Sequence, residues 1–396
     1  MYKNILVMVD NSRYSDWAVD LSADLASVFG AKVTGNHVYA ARLHENRFIQ
    51  MEPGLPEQFQ NPDELVRQRQ IHSTLIEKGL KVVSDSFLDI LGKKCEERKV
   101  PCERKTMEGK NYHEIVKDVE NSGYDLVAMG AKGIGETTST QLGSVCERVT
   151  RRIQVDAVVM KNDRPLRGGR VVAGIDGSGW SFAAMSTAIS MAKHLGCRIT
   201  ALTVYDPHFH YRAFKSIAGA LSEEARQVFR FEEQEKLHEE IIDSGLEKIY
   251  RNHLETALKM AADEGVEAEG IVLAGKPYDE ILKWLGGKDI AMLILGKLGV
   301  HSTDGLDIGS NAETLLRGAP CNVTLVSRAV TPRPKDEPRS DPVEWENEAV
   351  EMLGRAPGFV RNMIRAHMEA EARRAGARVI TAEMMKQARA RLEPGR

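Results

Sequence analysis

Residues 5–12 read Ile5-Leu6-Val7-Met8-Val9-Asp10-Asn11-Ser12, and residues 171–178 read Val171-Val172-Ala173-Gly174-Ile175-Asp176-Gly177-Ser178. Each is a short apolar run that ends in an aspartate, with a serine two residues on. Such a run suits a strand buried on both faces, and the serine suits the N-cap of a following helix. Asp10 and Asp176 stand 166 positions apart. The same offset carries Gly30 to Gly196, Val38-Tyr39 to Val204-Tyr205, Gly109-Lys110 to Gly275-Lys276 and Gly143-Ser144 to Gly309-Ser310. Unlike residue types sharing one gapless register mark a duplication, and the period is too long for a solenoid. Each copy is a domain.

Elements alternate outward from the first strand. Trp17, Leu21, Leu25 and Val28 follow Ser12 at helical spacing, and Gly30 closes that helix. Residues 31–39 read as a second strand. A long polar segment leads to a helix near 64–98, a short strand near 100–107 and a helix at 111–122. Residues 125–130 form an apolar strand, 143–152 a helix and 155–161 a last strand. This alternation predicts an α/β architecture, with two doubly wound five-stranded parallel-sheet domains. Ligands on such sheets bind beyond the carboxyl ends of the strands, at the topological switch point.

The second copy ends near Val330. Four prolines within residues 331–342 make a linker, and residues 343–396 read as a small all-α module. The expected divisions are 1–165, 166–330, 331–342 and 343–396. Phe359, Val360, Met363, Ile364, His367 and Met368 form one apolar face of a helix broken by Gly376; Thr381 caps another. Residues 355–396 hold ten Lys or Arg against four Asp or Glu. That reads as a solvated helical face rather than a nucleic-acid surface.

The whole chain has 54 Lys+Arg against 57 Asp+Glu, a net charge of −3, which excludes a strong overall field for nucleic acid or an anionic membrane. No apolar run approaches the roughly 18 residues of a membrane span. Five cysteines without a CxxC pair suit a reduced cytoplasmic protein and no Cys-ligated metal site.

The chemical signal follows the fourth strand of each copy. Copy one has Gly130-Ala131-Lys132-Gly133, nine residues, then Gly143-Ser144; copy two has Gly296-Lys297-Leu298-Gly299, nine residues, then Gly309-Ser310. Glycines let backbone N–H groups approach phosphate oxygens, and the helix start offers unpaired donors at the positive dipole end. Ser144 adds a hydroxyl, and Asp10 across the switch point can accept from a ribose. Tight turns alone are the competing reading of these glycines. Lys132 and Lys297 lie inside the loops, where either could meet a terminal phosphate.

Both copies resemble the ATP-binding branch of the universal stress protein domain, whose pattern G-x2-G-x9-G-[S/T] they match. The resemblance covers about 1–161 and 167–328. It implies an adenine nucleotide alpha hydrolase-like sheet with ATP, or AMP or ADP, as the cofactor and Mg as an optional companion. By motif position Asp10 and Asp176 would hold the ribose or adenine edge. Val38 and Val204 would line the adenine pocket, flanked by Met129 and Leu295. Gly130, Gly133, Gly143 and Ser144, with Gly296, Gly299, Gly309 and Ser310, would hold the phosphates and ribose. The resemblance further implies an internal pseudo-dimer joined through Ala157–Lys161 and Val323–Ser327. Copy one departs from the family at Val155-Asp156-Ala157, and copy two has Ala291 in place of Asp125. Residues 343–392, with Trp345, Ala356-Pro357-Gly358-Phe359 and Ile380-Thr381, are similar to the helical end of the B subunit of light-independent protochlorophyllide reductase. That enzyme's catalytic body has no counterpart here.

The expected function is nucleotide-dependent regulation, with no catalytic residues, no bound metal and at most slow hydrolysis. A nucleotide-independent scaffold is the alternative, acting through the C-terminal module and the inserted helices toward a protein partner. A dimer of the tandem chain is a further expected association. His44/His210 and His72/His238 recur at the offset but lack partners for a metal, so they read as solvated or capping residues. Cys102 reads as a buried, inert thiol.

Overall fold

One ten-stranded sheet runs through both repeats in the computed structural model, in the order β3-β2-β1-β4-β5-β10-β9-β6-β7-β8. The residues described are 1–137, 141–207, 243–300, 307–332, 344–355, 361, 364–365, 367–369, 371–372 and 377–392. Copy one contributes β1 (Asn4–Met8), α1 (Arg13–Phe29), β2 (Lys32–Tyr39), α2 (Ala41–Met51), α3 (Pro62–Glu97) and β3 (Cys102–Glu108). It continues with α4 (Asn111–Asn121), β4 (Leu126–Gly130), α5 (Ser144–Arg152) and β5 (Asp156–Met160). Copy two contributes β6 (Arg170–Ile175), α6 (Gly179–Leu195), β7 (Arg198–Tyr205), α7 (Asp243–Asp263) and β8 (Ala268–Ala274). It ends with α8 (Pro277–Leu285), β9 (Met292–Gly296), α9 (Ser310–Gly318) and β10 (Asn322–Val326).

Within each copy the strands pair in parallel, β2 and β4 flanking β1 as β7 and β9 flank β6. The expected caps are in place. Ser12 Oγ accepts from Ser15 N at 3.2 Å, and Gly30 ends α1 with φ 64°, the left-handed conformation that glycine adopts freely. Glycine at 109 and 275 recurs for the same kind of reason: φ is 146° and 140°, where the chain turns from β3 into α4 and from β8 into α8. The polar segment after β2 is not loop throughout, because α2 and two short 3₁₀ turns occupy 41–59.

Two layers of helices cover the sheet. Ile5, Val7, Val33, Leu126 and Ala128 pack with α1 and α3 on one face, and Val171, Ala173 and Ile199 pack with α6 and α7 on that same face. Leu6, Val127, Met129, Val172 and Leu293 pack with α4, α5, α8 and α9 on the other. Both cores therefore run from one copy into the next.

The copies meet where β5 pairs antiparallel with β10, Val158 opposite Thr324. Thr324 is also the repeat counterpart of Val158, so the pairing is centred on a local pseudo-dyad. Contacts beside it come in related pairs. Asp156 Oδ1 accepts from Ser327 N at 2.9 Å, and its counterpart Asn322 accepts from Lys161 N at 2.8 Å. Arg317 pairs with Glu147 at 2.6 Å, and Arg151 with Glu313. Asp156, the departure noted at the sequence level, also accepts from the Tyr2 hydroxyl at 3.0 Å and pairs with Arg328. Burial pushes its carboxyl up, against the downward pull of Arg328.

Residues Met1–Leu298 and Asp304–Val330 form one compact unit, and Gly299–Thr303 with Thr331–Arg396 form another. The second unit is not wholly helical. Its β11 (Glu344–Trp345) pairs in parallel with β12 (Val379–Ile380), because the chain ends of its helices run side by side there. Helices α10 (Asn347–Gly354) and α11 (Ala382–Leu392) pack Ala349, Leu353 and Met385 with Met368, Ala372 and Ile380. Thr381 Oγ1 accepts from Met384 N at 3.4 Å as the expected cap. Phe359, Val360, Met363 and Gly376 lie outside the described residues, as does most of the linker.

Candidate functional site

In copy one the strand order places the carboxyl ends of β1 and β4 side by side, at the point where the chain reverses its direction across the sheet. The β1–α1 turn supplies Asp10, and the β4–α5 loop supplies the glycines. Asp10 Oδ1 accepts from Ser12 N at 3.0 Å and from Ser12 Oγ at 2.6 Å. These bonds hold the turn, in which Asn11 takes φ 61°. Copy two repeats them, with Asp176 Oδ1 accepting from Ser178 N at 2.9 Å and Ser178 Oγ at 2.6 Å.

The loop glycines are fixed first by packing. A Cβ on Gly130 would lie 2.7 Å from Tyr14 Cβ and 2.9 Å from Ser15 N. One on Gly133 would lie 2.7 Å from Asp10 Oδ2. Gly143 N donates to Ala131 O at 2.7 Å, which folds the loop back on itself. Gly143 is then the N-cap of α5, and it brings no side chain to cap the helix. The first turn, beginning at Ser144, thus presents its backbone donors with the positive end of the dipole. Gly309 and Ser310 open α9 in the same way, and Gly309 N donates to Lys297 O at 2.8 Å. Val38 and Met129 are buried on the α4–α5 face, as Val204 and Leu295 are on the α8–α9 face. A Cβ on Gly296 would lie 2.7 Å from Trp180 Cβ. Gly299 falls in the second compact unit. The donor set of copy one fits a phosphate-bearing ligand: an uncapped helix start, a hydroxyl at Ser144 and two nearby cations.

Those cations are Arg13 and Lys132, and a carboxylate already faces them. Glu136 accepts from Tyr14 Oη at 2.9 Å and from Arg13 at 3.1 Å, and Lys132 Nζ lies 3.5 Å away. The Tyr14 hydroxyl, then Arg13 and Lys132, hold the Glu136 carboxyl below its usual range. Copy two has Gly179 in place of Arg13 and Leu298 in place of Lys132. Lys297 does not replace them. It is buried, and its Nζ donates to Arg151 O at 2.9 Å and Ile153 O at 2.6 Å, in copy one. The expectation that Lys297 meets a phosphate is therefore wrong: its position points into the junction between the copies.

Each aspartate also has a histidine beside it that the repeat register conceals. His37 on β2 donates through Nδ1 to Ser84 Oγ at 2.7 Å, since that hydroxyl itself donates to Leu80 O. Its ring packs edge-on against Phe87. Burial pushes His37 down, and Asp10 is near enough to oppose that shift. In copy two the imidazole comes from α7 instead. His253 is also pushed down by burial and opposed by Asp176. Its ring lies against Gly177, where a Cβ would come within 2.3 Å of it. The counterpart of His37 is Thr203, and the counterpart of His253 is Phe87. Position by position the copies disagree, which is why the shared feature was missed.

Of the recurring histidines, His72 stacks on Phe48 at 4.3 Å, and His210 and His238 lie outside the described residues. Cys102 is exposed, not buried, because it opens the edge strand β3.

The comparisons agree with this architecture. The Universal stress protein family profile matches residues 1–161 and 169–327. The profile of the Proto-chlorophyllide reductase 57 kD subunit matches residues 345–389. Universal stress protein YxiE of Bacillus subtilis is 26% identical over 160 residues, which is 40% of this chain and 97% of the relative. Universal stress protein MJ0531 of Methanocaldococcus jannaschii is 25% identical over 159 residues, 40% of this chain and 82% of the relative. A solved universal stress protein from Archaeoglobus fulgidus shares the fold at TM-score 0.52 and 19% identity, over 82% of this chain and 98% of its own. The two matched spans take up most of the sequence, and the chain belongs to the universal stress protein family.

Proposed function

We propose that this chain is a regulatory adenine-nucleotide binder, cytoplasmic and without a catalytic role. The observation that carries the reading is the uncapped N-terminus of α5 beside the Gly130–Gly133 loop, closed onto Asp10 and flanked by Val38 and Met129. The phosphates would take the donors of the α5 first turn together with Ser144, and would displace Glu136 from Arg13 and Lys132. The ribose would take the free edge of Asp10. No residue here is poised as a nucleophile or as a general base toward water, so turnover would stay below about 1 s⁻¹, the low end of ordinary enzymes. Among the described residues no helix is long and apolar enough to cross a membrane.

The test is mass spectrometry of nucleotide released from gently purified protein, with calorimetry of ATP and AMP. Gly143→Glu should abolish binding to copy one, and Gly309→Glu to copy two. A wild-type protein without nucleotide affinity would refute the reading. The inserted helices favour a second reading, a nucleotide-independent scaffold, because Leu43, Ile49, Val66, Ile71, Leu75 and Val82 are exposed there. A pull-down unchanged by nucleotide removal, combined with no nucleotide binding, would select it.

A further inference from the structure

We propose that Cys102 and Cys95 form a peroxide-reactive dithiol, in which Cys102 is the attacking sulfur and Cys95 resolves it to an intramolecular disulfide. The two residues bracket the reversal from α3 to β3. Val100 N donates to Cys95 O at 2.8 Å, and Lys99 N to Glu96 O at 3.0 Å, with Lys99 at φ 56°. This closed turn brings the thiols together, and their side chains hydrogen-bond. Their environments are opposite. Cys95 is fully buried in the α1–α3 layer, and Cys102 is exposed on the edge strand. The Cys95 thiol is pushed up by that bond and by burial, so it keeps its proton and donates. Cys102 accepts and is pulled down to about 7, with Arg104 also favouring its thiolate. The other three cysteines are buried, and burial raises Cys146 to about 12 and Cys197 and Cys321 to about 11. The pair therefore combines access, a thiolate and an adjacent resolving thiol, which are the requirements of a reversible thiol sensor.

The chemistry balances with hydrogen peroxide as the oxidant. The Cys102 thiolate attacks one peroxide oxygen, the O–O bond breaks, and hydroxide leaves to become water. Cys102 is now a sulfenic acid. The Cys95 sulfur then attacks the Cys102 sulfur, the S–O bond breaks, and the departing oxygen takes the Cys95 proton as water. Two thiols and one peroxide yield one disulfide and two waters. A thiol reductant reverses the step by exchange. The product would tie the end of α3 to the edge strand.

The experiment treats the full chain with a small excess of hydrogen peroxide near pH 7.5, followed by intact and peptide mass spectrometry. A loss of two hydrogens and a linked Cys95–Cys102 peptide, both reversed by dithiothreitol, is expected. Cys95→Ala should stop at the sulfenic acid and yield a dimedone adduct on Cys102. The same variant should move the midpoint of Cys102 alkylation up by at least about one pH unit, toward an ordinary thiol. Cys102→Ser should lose the rapid reaction. Reaction of Cys102 no faster than free cysteine would overturn the proposal. So would an alkylation midpoint unmoved by Cys95→Ala, or a disulfide that forms only between chains.

Discussion

Lys161 and Lys297 each close the last turn of a helix in the other copy. Lys161 Nζ donates to Arg317 O at 3.1 Å and Ala319 O at 2.8 Å, at the end of α9. Lys297 Nζ reaches Arg151 O and Ile153 O, the repeat counterparts of those carbonyls, at the end of α5. Yet the lysines are not counterparts of each other. Ser327 matches Lys161, and Ala131 matches Lys297. The junction thus preserves a contact that the sequence register does not.

Burial pushes both lysines down to about 8. A neutral amine has two N–H groups, one for each carbonyl. The unfolded chain holds those protons up to about pH 10.4. Between about 8 and 10.4 the unfolded state binds more protons, so stability should rise with pH. Urea melts at pH 7.5 and 9.5 should show this gain, and Lys161→Met with Lys297→Met should flatten it. Lys297→Met should also cost about 1–3 kcal/mol at pH 9.5, because it leaves buried carbonyls unpaired.

Arg151 and Glu313 with Arg317 and Glu147 form the ionic part of the same junction. Their side chains are partly exposed, so each pair should contribute about 1 kcal/mol or less. Arg151→Glu should destabilise by more than that through repulsion, and adding Glu313→Arg should recover most of the loss. A double-mutant cycle in denaturant measures the coupling.

Glu136 competes for the cations that a phosphate would use. Glu136→Gln should tighten ATP binding to copy one about threefold to tenfold, the equivalent of roughly 1 kcal/mol of exposed ion pairing. Calorimetry on a Gly309→Glu background isolates that pocket. Weaker binding would mean that Glu136 supports the loop rather than shielding it.

His37 and His253 give the acid limb of stability. Both are pushed below their usual value, so the unfolded chain takes up their protons first as pH falls. Their contribution is present above about 6.5 and is lost as pH drops through the folded values. His253→Phe and His37→Thr borrow the residue found in the other copy. Each should fold and should lessen the fall in stability between pH 6.5 and 5, as read from thermal melts at both values.

Much of this was legible because a repeat averages out local noise. Asp10, Ser12, Gly30 and Gly143 announced a strand, a cap, a helix stop and a helix start, and each recurs at one offset. The sheet order then followed from alternation. What stayed hidden are the features that moved between positions, the histidine beside the strand-end aspartate and the lysine at the junction. They are equivalent in space and not in register. The direction of Lys297 was equally hidden, since a lysine in a glycine loop invites a phosphate and only the packing of β5 against β10 turns it away. Nor does the spacing of Cys95 and Cys102 show a pair, because a helix end and a reversed strand must first bring them together.

The union of β5 with β10 also sets how the molecule can grow. A single copy would leave β5 as an open edge, available to a second chain. Here duplication has filled that valence internally. The strands left with one neighbour in this sheet are β3 and β8, nine spacings apart, or about 43 Å. β3 carries Glu103, Arg104 and Lys105, charges that discourage strand addition. Self-association of this chain would therefore have to use helices or loops, so the duplication fixes a stoichiometry of two domains at any concentration.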